Sequence, residues 1–465
     1  MTSDSRDSKK THSPTVVTEH SGSSREMLKL AFPQIISFVS LSVMGVVDTL
    51  VIGQVGTGQQ AGVGLGAGMF WGIMSFFTGT LSGVTTFVAQ ANGAGRTDEL
   101  RRWVMVGLVL VLPMTVLCLS VIPLIDNLIV LFQTSKEVRP HVVTYLSVLL
   151  FEAPFMFIMF VLVSYLRGLG DTVTPMIVTL VANVINAALD IVLVFGFLGF
   201  PALGVTGAAL ASIVGMCAAA LMLAWVYFGR HHNARYNTRR LTWVTLEEVR
   251  RFMKTSTPIG ASWAFENVAW NIMTIYIGTM GAVTLAGHII VWQLISFSFM
   301  PTVAISVAAS TLVGQYLGAQ RPDLARKSAR VSILWGLVLM GSIGVFFALG
   351  RGHIIAWFND DPAVMTIGGW LLLIAAAFQL FDALGITIDG VLRGAGDTRF
   401  PLLARAIAGF GFFIPLIFVL GGPVGWGVYG AWSAGLVFVV LLGVVMLWRY
   451  RQGSWLHRTV LEDEG

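Results

Sequence analysis

The chain has 465 residues, of which 55% are hydrophobic and only 11% charged, against about 25% charged in a soluble domain. So little polar surface cannot face water on all sides, which excludes a soluble globular protein and makes lipid the main solvent. The net charge of +5 does not point to nucleic acid, because the basic residues sit in short loops between apolar runs, where they act as topology signals.

Residues 1–24 are polar and Ser/Thr-rich, with no apolar stretch, and read as a disordered cytosolic tail. The segment lacks the basic-then-apolar layout of a cleaved signal peptide, so the first helix is expected to be retained. Apolar runs long enough to cross a bilayer then follow near 28–52, 62–91, 103–125, 141–166, 172–197, 204–228, 254–280, 284–316, 328–350, 365–392, 402–420 and 427–449. They are far longer than the roughly 10 residues of a barrel strand and do not alternate polar with apolar. The predicted fold is therefore all-α and integral to the membrane, with twelve transmembrane helices. Cys118 and Cys217 fall inside apolar runs and read as buried, unreactive thiols.

Of the 29 Lys and Arg residues, only Lys136, Arg139 and Arg351 lie in loops after odd-numbered runs. Basic loops stay cytosolic, so both termini and the loop 229–253 are expected on the cytosolic side. An internal repeat is superimposed on this pattern. Val88-Ala-Gln90 with Gly93-Ala-Gly-Arg96-Thr-Asp98 matches Val313-Gly-Gln315 with Gly318-Ala-Gln-Arg321-Pro-Asp323. Leu166-Arg-Gly-Leu-Gly-Asp-Thr172 matches Leu392-Arg-Gly-Ala-Gly-Asp-Thr398, and Pro33, Gly53 and Gly56 recur as Pro258, Gly278 and Gly281. Each unit holds an even number of helices, so both enter from the same side. The expected architecture is two six-helix bundles related by a pseudo-twofold along the membrane normal, with a cavity between them near the midplane. The division is 25–228 for an N-lobe, 229–253 for a cytosolic linker, 254–450 for a C-lobe and 451–465 for a second cytosolic tail.

Ionisable groups inside a membrane are costly and usually functional. Six acids fall inside the runs: Asp48, Glu152, Asp190, Glu266, Asp382 and Asp389. No Lys or Arg lies at comparable depth, Arg405 being only about a turn inside its run, so an acidic interior without basic partners is expected. Such an interior suits protons, sodium or organic cations. Glu266 and Asp382 are twelve and eleven residues from Lys254 and Arg393, about 18 and 16 Å at 1.5 Å per residue, and so reach similar depth. Asp48 and Asp190 are nineteen residues from Lys29 and Asp171, about 28 Å in, and Asn186 sits one turn before Asp190. The candidate residues thus form an N-lobe set, Asp48, Asn186 and Asp190, and a C-lobe set, Glu266 and Asp382. Either set has the oxygen donors for Na+.

Glu152, near the outer end of its run, reads as a residue reaching the interface. Asp389 reads equally as an i,i+4 partner of Arg393 or as a substrate contact. Trp263 and Trp270 share a face with Glu266 and read either as substrate contacts through cation–π attraction or as packing. Gly168-Leu-Gly-Asp171 and Gly394-Ala-Gly-Asp397 spell GxGD, a pattern of intramembrane aspartyl proteases. Their place at the cytosolic edge, after an arginine and before Pro175 or Pro401, reads instead as helix-ending glycines and a capping Asp or Thr.

With these residues assembled, the chain resembles the multidrug and toxin extrusion (MATE) family, NorM-like branch, across residues 25–450. Met44-Gly-Val-Val-Asp48-Thr resembles that family's first-helix motif. The Leu166–Thr172 turn and its second copy are similar to its repeated signature, and Asn186-Ala-Ala-Leu-Asp190 to its N-lobe cation residues. Phe265-Glu266 and Phe381-Asp382 are similar to the acidic pair of the NorM C-lobe. The resemblance implies a secondary antiporter, not an enzyme, that works without a cofactor and exports small organic cations against inward Na+ or H+. It implies a multi-pass protein of the cell inner membrane, surrounded by lipid, binding no nucleic acid and working as a monomer. The chain carries both acidic sets, and the residues leave open which one holds the coupling ion. Two other readings stand beside this one: a flippase for lipid-linked saccharides, whose anionic cargo would want a basic cavity, and the GxGD protease. No nucleotide-binding P-loop is present.

Overall fold

The structure is a computed structural model and describes residues 21–131, 136–240 and 242–461. Twelve long helices follow one another: α1 Ser24–Gly53, α2 Thr57–Gly93, α3 Thr97–Ile129, α4 Arg139–Leu169, α5 Val173–Phe195, α6 Val205–Tyr227, α7 Leu246–Gly278, α8 Ala282–Gly318, α9 Pro322–Ala356, α10 Pro362–Gly394, α11 Arg399–Gly421 and α12 Gly427–Gln452. Eleven are apolar enough to read as spans by hydropathy alone. The exception is α7, which is 33 residues long but is diluted by Glu266, Asn267 and Asn271 along its length.

Local chemistry sets the ends. Ser23 caps α1 by accepting from the Glu26 N–H, and Thr245 and Glu248 form a reciprocal capping box at α7. Asp361 caps α10 ahead of Pro362. Pro33, Pro113, Pro258 and Pro301 lie inside helices, where each removes a ladder hydrogen bond. In α11, Pro415 cannot donate to the carbonyl one turn back, and the preceding Ile407–Phe413 widens into a π-helical segment.

Two apolar cores form, one in each half, and they exchange their first helices at the end of the bundle that carries both chain termini. Met27, Leu30 and Ala31 of α1 are buried in the core of the second half. Phe252 of α7, which stands at the repeat shift from Met27, is buried in the core of the first. Hydrogen bonds between the halves gather at the same end and follow the repeat. Thr86 and Gln90 of α2 donate to the Arg393 and Gly394 carbonyls, at 2.9 and 3.0 Å. Their counterparts Thr311 and Gln315 of α8 donate to the Arg167 and Gly168 carbonyls, at 3.1 and 2.8 Å. The duplicated Gly93 and Gly318 let these helices meet, since a Cβ on either would lie 1.9 or 2.0 Å from the carbonyl oxygen of Gln315 or Gln90. That end of the molecule is therefore closed by a pair of twofold-related contacts.

Both chain ends reinforce this closure. Residues 1–20 of the expected N-terminal tail lie outside the described residues. The rest of that tail is docked: the Gly22 N–H donates to Glu26 and to the Tyr316 hydroxyl, which itself donates to Glu26 at 2.6 Å. The C-terminal tail turns back through Ser454–His457 and crosses to the first half. There Val460 and Leu461 join the apolar core, and the Val460 N–H donates to Gln90 Oε1 at 2.8 Å.

The loop chemistry makes orientation testable. In a background free of Cys118 and Cys217, Arg235→Cys and Lys136→Cys are expected to react with an impermeant maleimide from opposite faces of the membrane, residue 235 from the cytosol. Reaction of both from outside would overturn the assigned orientation.

Candidate functional site

In the first half, α1 and α5 bring Asp48 and Asp190 together. Their carboxyls lie within hydrogen-bonding reach of each other. Asp190 is fully buried, and neither of its oxygens nor Asp48 Oδ1 has a donor partner among the described residues. Two facing carboxylates without a donor repel, and either a shared proton or a bound cation relieves that repulsion. The α1–α5 seam is polar on both sides. Asn186 is buried beside Ser212, its Nδ2 3.5 Å from the serine Oγ, and Asn183 donates to Ser40 at 2.7 Å. Among the described residues no three His, Cys, Asp or Glu side chains group closely enough to enclose a metal. An alkali ion would here rest on two carboxylates and neutral oxygens such as Asn186.

Glu152 is not an interface residue. It is buried and lies within electrostatic reach of Asp48, and Tyr145 lies within electrostatic reach of Asp48, Glu152 and Asp190. A 3₁₀ turn at Leu150–Glu152, followed by Pro154 early in the next helical segment, turns the side chain inward. Three carboxylates of the first half thus lie within electrostatic reach of one tyrosine.

In the second half, Glu266 of α7 and Asp382 of α10 lie within electrostatic reach of each other. The expected absence of a basic partner does not hold. Arg405 is buried and lies between them and Asp389: Nη1 donates to Asp389 Oδ1 at 2.9 Å, and Nε is 3.1 Å from Glu266 Oε2. Asp389 also pairs with Arg393 at 2.6 Å, so its i,i+4 role is met and its carboxylate is engaged on both sides. Trp263 is covered by Arg393, whose guanidinium lies 5.8 Å from the ring centroid. Trp270 packs within 6 Å of Trp292, Phe413 and Phe438, a core position. Neither indole stands free beside Glu266.

The GxGD aspartates are both engaged at the end of the bundle that carries the chain termini. Asp171 accepts from the Val173 and Thr174 N–H groups and from the Thr174 hydroxyl, as a capping residue does. Asp397 departs from that expectation: it caps nothing and instead pairs with Arg449 at 2.8 Å and Arg458 at 3.1 Å. Thr398 likewise donates to the Thr255 carbonyl rather than to a helix start.

The family model for MatE proteins matches residues 33–192 and again 258–419, once in each half. This chain belongs to the MATE family. Among its MATE relatives, "Probable multidrug resistance protein NorM" of Thermotoga maritima is 31% identical over 446 residues, covering 95% of both chains. "Multidrug resistance protein MdtK" of Yersinia pestis is 29% identical over 93% of this chain and 96% of its own. Among solved structures, MATE in the bent conformation superposes with a TM-score of 0.84 at 19% identity, over 93% of this chain and 96% of that one. An outward-facing multidrug resistance MATE transporter of the MOP superfamily gives 0.82 at 19%, over 94% and 97%. The chain therefore has the fold of these MATE structures. Within that fold, reasoning along the sequence missed Arg405 because it ranked depth along one helix. The approach to Glu266 and Asp389 is made across helices.

Proposed function

We propose that this MATE protein is a secondary antiporter of the cell inner membrane that exports small organic cations in exchange for inward Na+ or H+. Both termini and the linker face the cytosol. The observation that carries the reading is the Asp48–Asp190 pair, a half-buried and a fully buried carboxyl in mutual reach, with three of their oxygens lacking a donor among the described residues. Such a pair takes up a proton or Na+ from one side of the membrane and gives it up on the other. With a positive charge bound, the pair no longer repels and α1 and α5 can draw together. Without one, they are pushed apart. The cargo is cationic because the acidic groups outnumber the basic ones at both sites: among the described residues no basic group pairs with Asp48, Glu152 or Asp190 in the first half, and Asp382 adds its charge to the Arg405 cluster in the second.

A flippase for anionic lipid-linked saccharides would want the opposite polarity. A GxGD protease would need Asp171 and Asp397 facing one another and free. The multidrug names of the NorM and MdtK relatives agree with the cation reading.

The deciding experiment is ethidium transport in proteoliposomes under Na+ and H+ gradients imposed separately. One of the two gradients is expected to drive ethidium against its own gradient. Failure of both would overturn antiport. Transport only of a lipid-linked anion would favour the flippase.

A further inference from the structure

Resting on that cation reading, we propose that Arg405 is a tethered cation which holds Glu266 when no cargo is present, and so sets how much positive charge the C-lobe site accepts.

The geometry distinguishes the two contacts of this guanidinium. Toward Asp389 it makes a directed hydrogen bond, Nη1 to Oδ1 at 2.9 Å, and both side chains are almost fully buried. Toward Glu266 it makes only a charge contact. Nε is 3.1 Å from Oε2, yet its N–H is not aimed at any acceptor and the atom counts as buried without a hydrogen bond. Glu266 is also the open end of the cluster, with 35% of its side chain exposed against 7% for Arg405. A buried charge pair is hard to break when breaking it strands a charge. Releasing Glu266 strands neither partner, because Arg405 keeps Asp389 and Glu266 keeps access to solvent or cargo.

Charge then sets capacity. Asp389 is bracketed by Arg393 and Arg405, and Glu266 balances the excess positive charge. Asp382, which interacts with both Glu266 and Arg405, is left as the one net negative charge. The cluster therefore neutralises one positive charge, and a second charge on a cargo meets the Arg405 field. The π-helical segment Ile407–Phe413 begins two residues after Arg405. Irregular turns of this kind absorb small register changes within a helix, so the arginine can shift off Glu266 without unwinding α11.

The test compares ethidium with propidium, which share a ring system but carry one and two fixed positive charges. Binding is measured on the purified full-length protein by fluorescence. Wild type is expected to prefer ethidium. Arg405→Gln, which leaves Asp389 paired with Arg393, is expected to shift the affinity ratio toward propidium by about tenfold or more. Arg405→Lys, which restores the charge, is expected to return the ratio close to wild type. Should Arg405→Gln fold poorly, Glu266→Gln serves instead, with the ratio moving further toward ethidium because one negative charge is gone. An unmoved ratio in a folded variant that binds both dyes overturns the role of Arg405 alone. Wild-type protein that binds neither dye overturns the cation reading beneath it.

Discussion

Asp48→Asn is expected to reduce gradient-driven ethidium transport to the level of protein-free liposomes, with the protein still folded and inserted. The substitution keeps the size of the side chain and its ability to hydrogen bond but removes one of the two carboxyls on which uptake of the coupling ion depends. The sign of the stability change separates this role from a structural one. In the native chain Asp48 faces Asp190, whose oxygens have no donor. An asparagine there can turn its N–H toward Asp190 and ends the repulsion between like charges. The melting temperature should therefore stay level or rise while transport is lost. A structural carboxylate would behave in the opposite way, so a fall in melting temperature with transport retained would remove Asp48 from the coupling site.

The paired variant Gly93→Ala with Gly318→Ala is expected to abolish transport by a different route. Each added methyl would stand 1.9 or 2.0 Å from a backbone oxygen of the other half, and no rotamer change can relieve a clash with backbone. The facing helices would have to retreat by roughly 1.5 Å to reach van der Waals distance, which breaks the Gln90 and Gln315 hydrogen bonds as well. The cytosolic side should then stay open. A cysteine replacing Ser82 on the cytosolic half of α2 should label faster from the cytosol, and turnover should fall to background. Gly64→Ala with Gly68→Ala is the control: it lies in the same α2, where nothing stands within 4 Å of the added carbons, and it should transport normally. Normal turnover in the Gly93/Gly318 variant would show that the halves do not need this close approach.

Features that depend on composition and spacing along the chain were legible before the structure. Helix number followed from apolar length and the twofold from the repeated Gly-Asp-Thr turns. The depth match of Glu266 and Asp382 followed from helical rise. The features that were not legible depend on how helices meet. Arg405 counts as shallow along α11, but α7 and α10 bring Glu266 and Asp389 to it. Glu152 counts as near a membrane surface, but a 3₁₀ turn ahead of Pro154 rotates it toward Asp48. Met27 and Phe252 stand at the repeat shift, and spacing along the chain does not reveal that each is buried in the other half's core. Asp171 and Asp397 share a motif yet differ in partners, because Arg449 of α12 and Arg458 of the returning tail reach the second copy, while the first caps its own next helix.

The returning C-terminal segment has a practical consequence. Thr459 and Val460 take up the carbonyl oxygen of Gln90, whose amide nitrogen is already committed to Gly394, so a single side chain is held by both halves and by the tail. A cytosolic binder selected to grip residues 454–461 peels away one of the three and weakens the seal without touching the membrane interior. An antibody fragment of that kind would be a conformational reagent, able to favour the inward-open form for structural work whatever ion or drug is present. The same epitope gives inhibitor discovery a water-facing target that does not have to compete with lipophilic cargo for an acidic cavity.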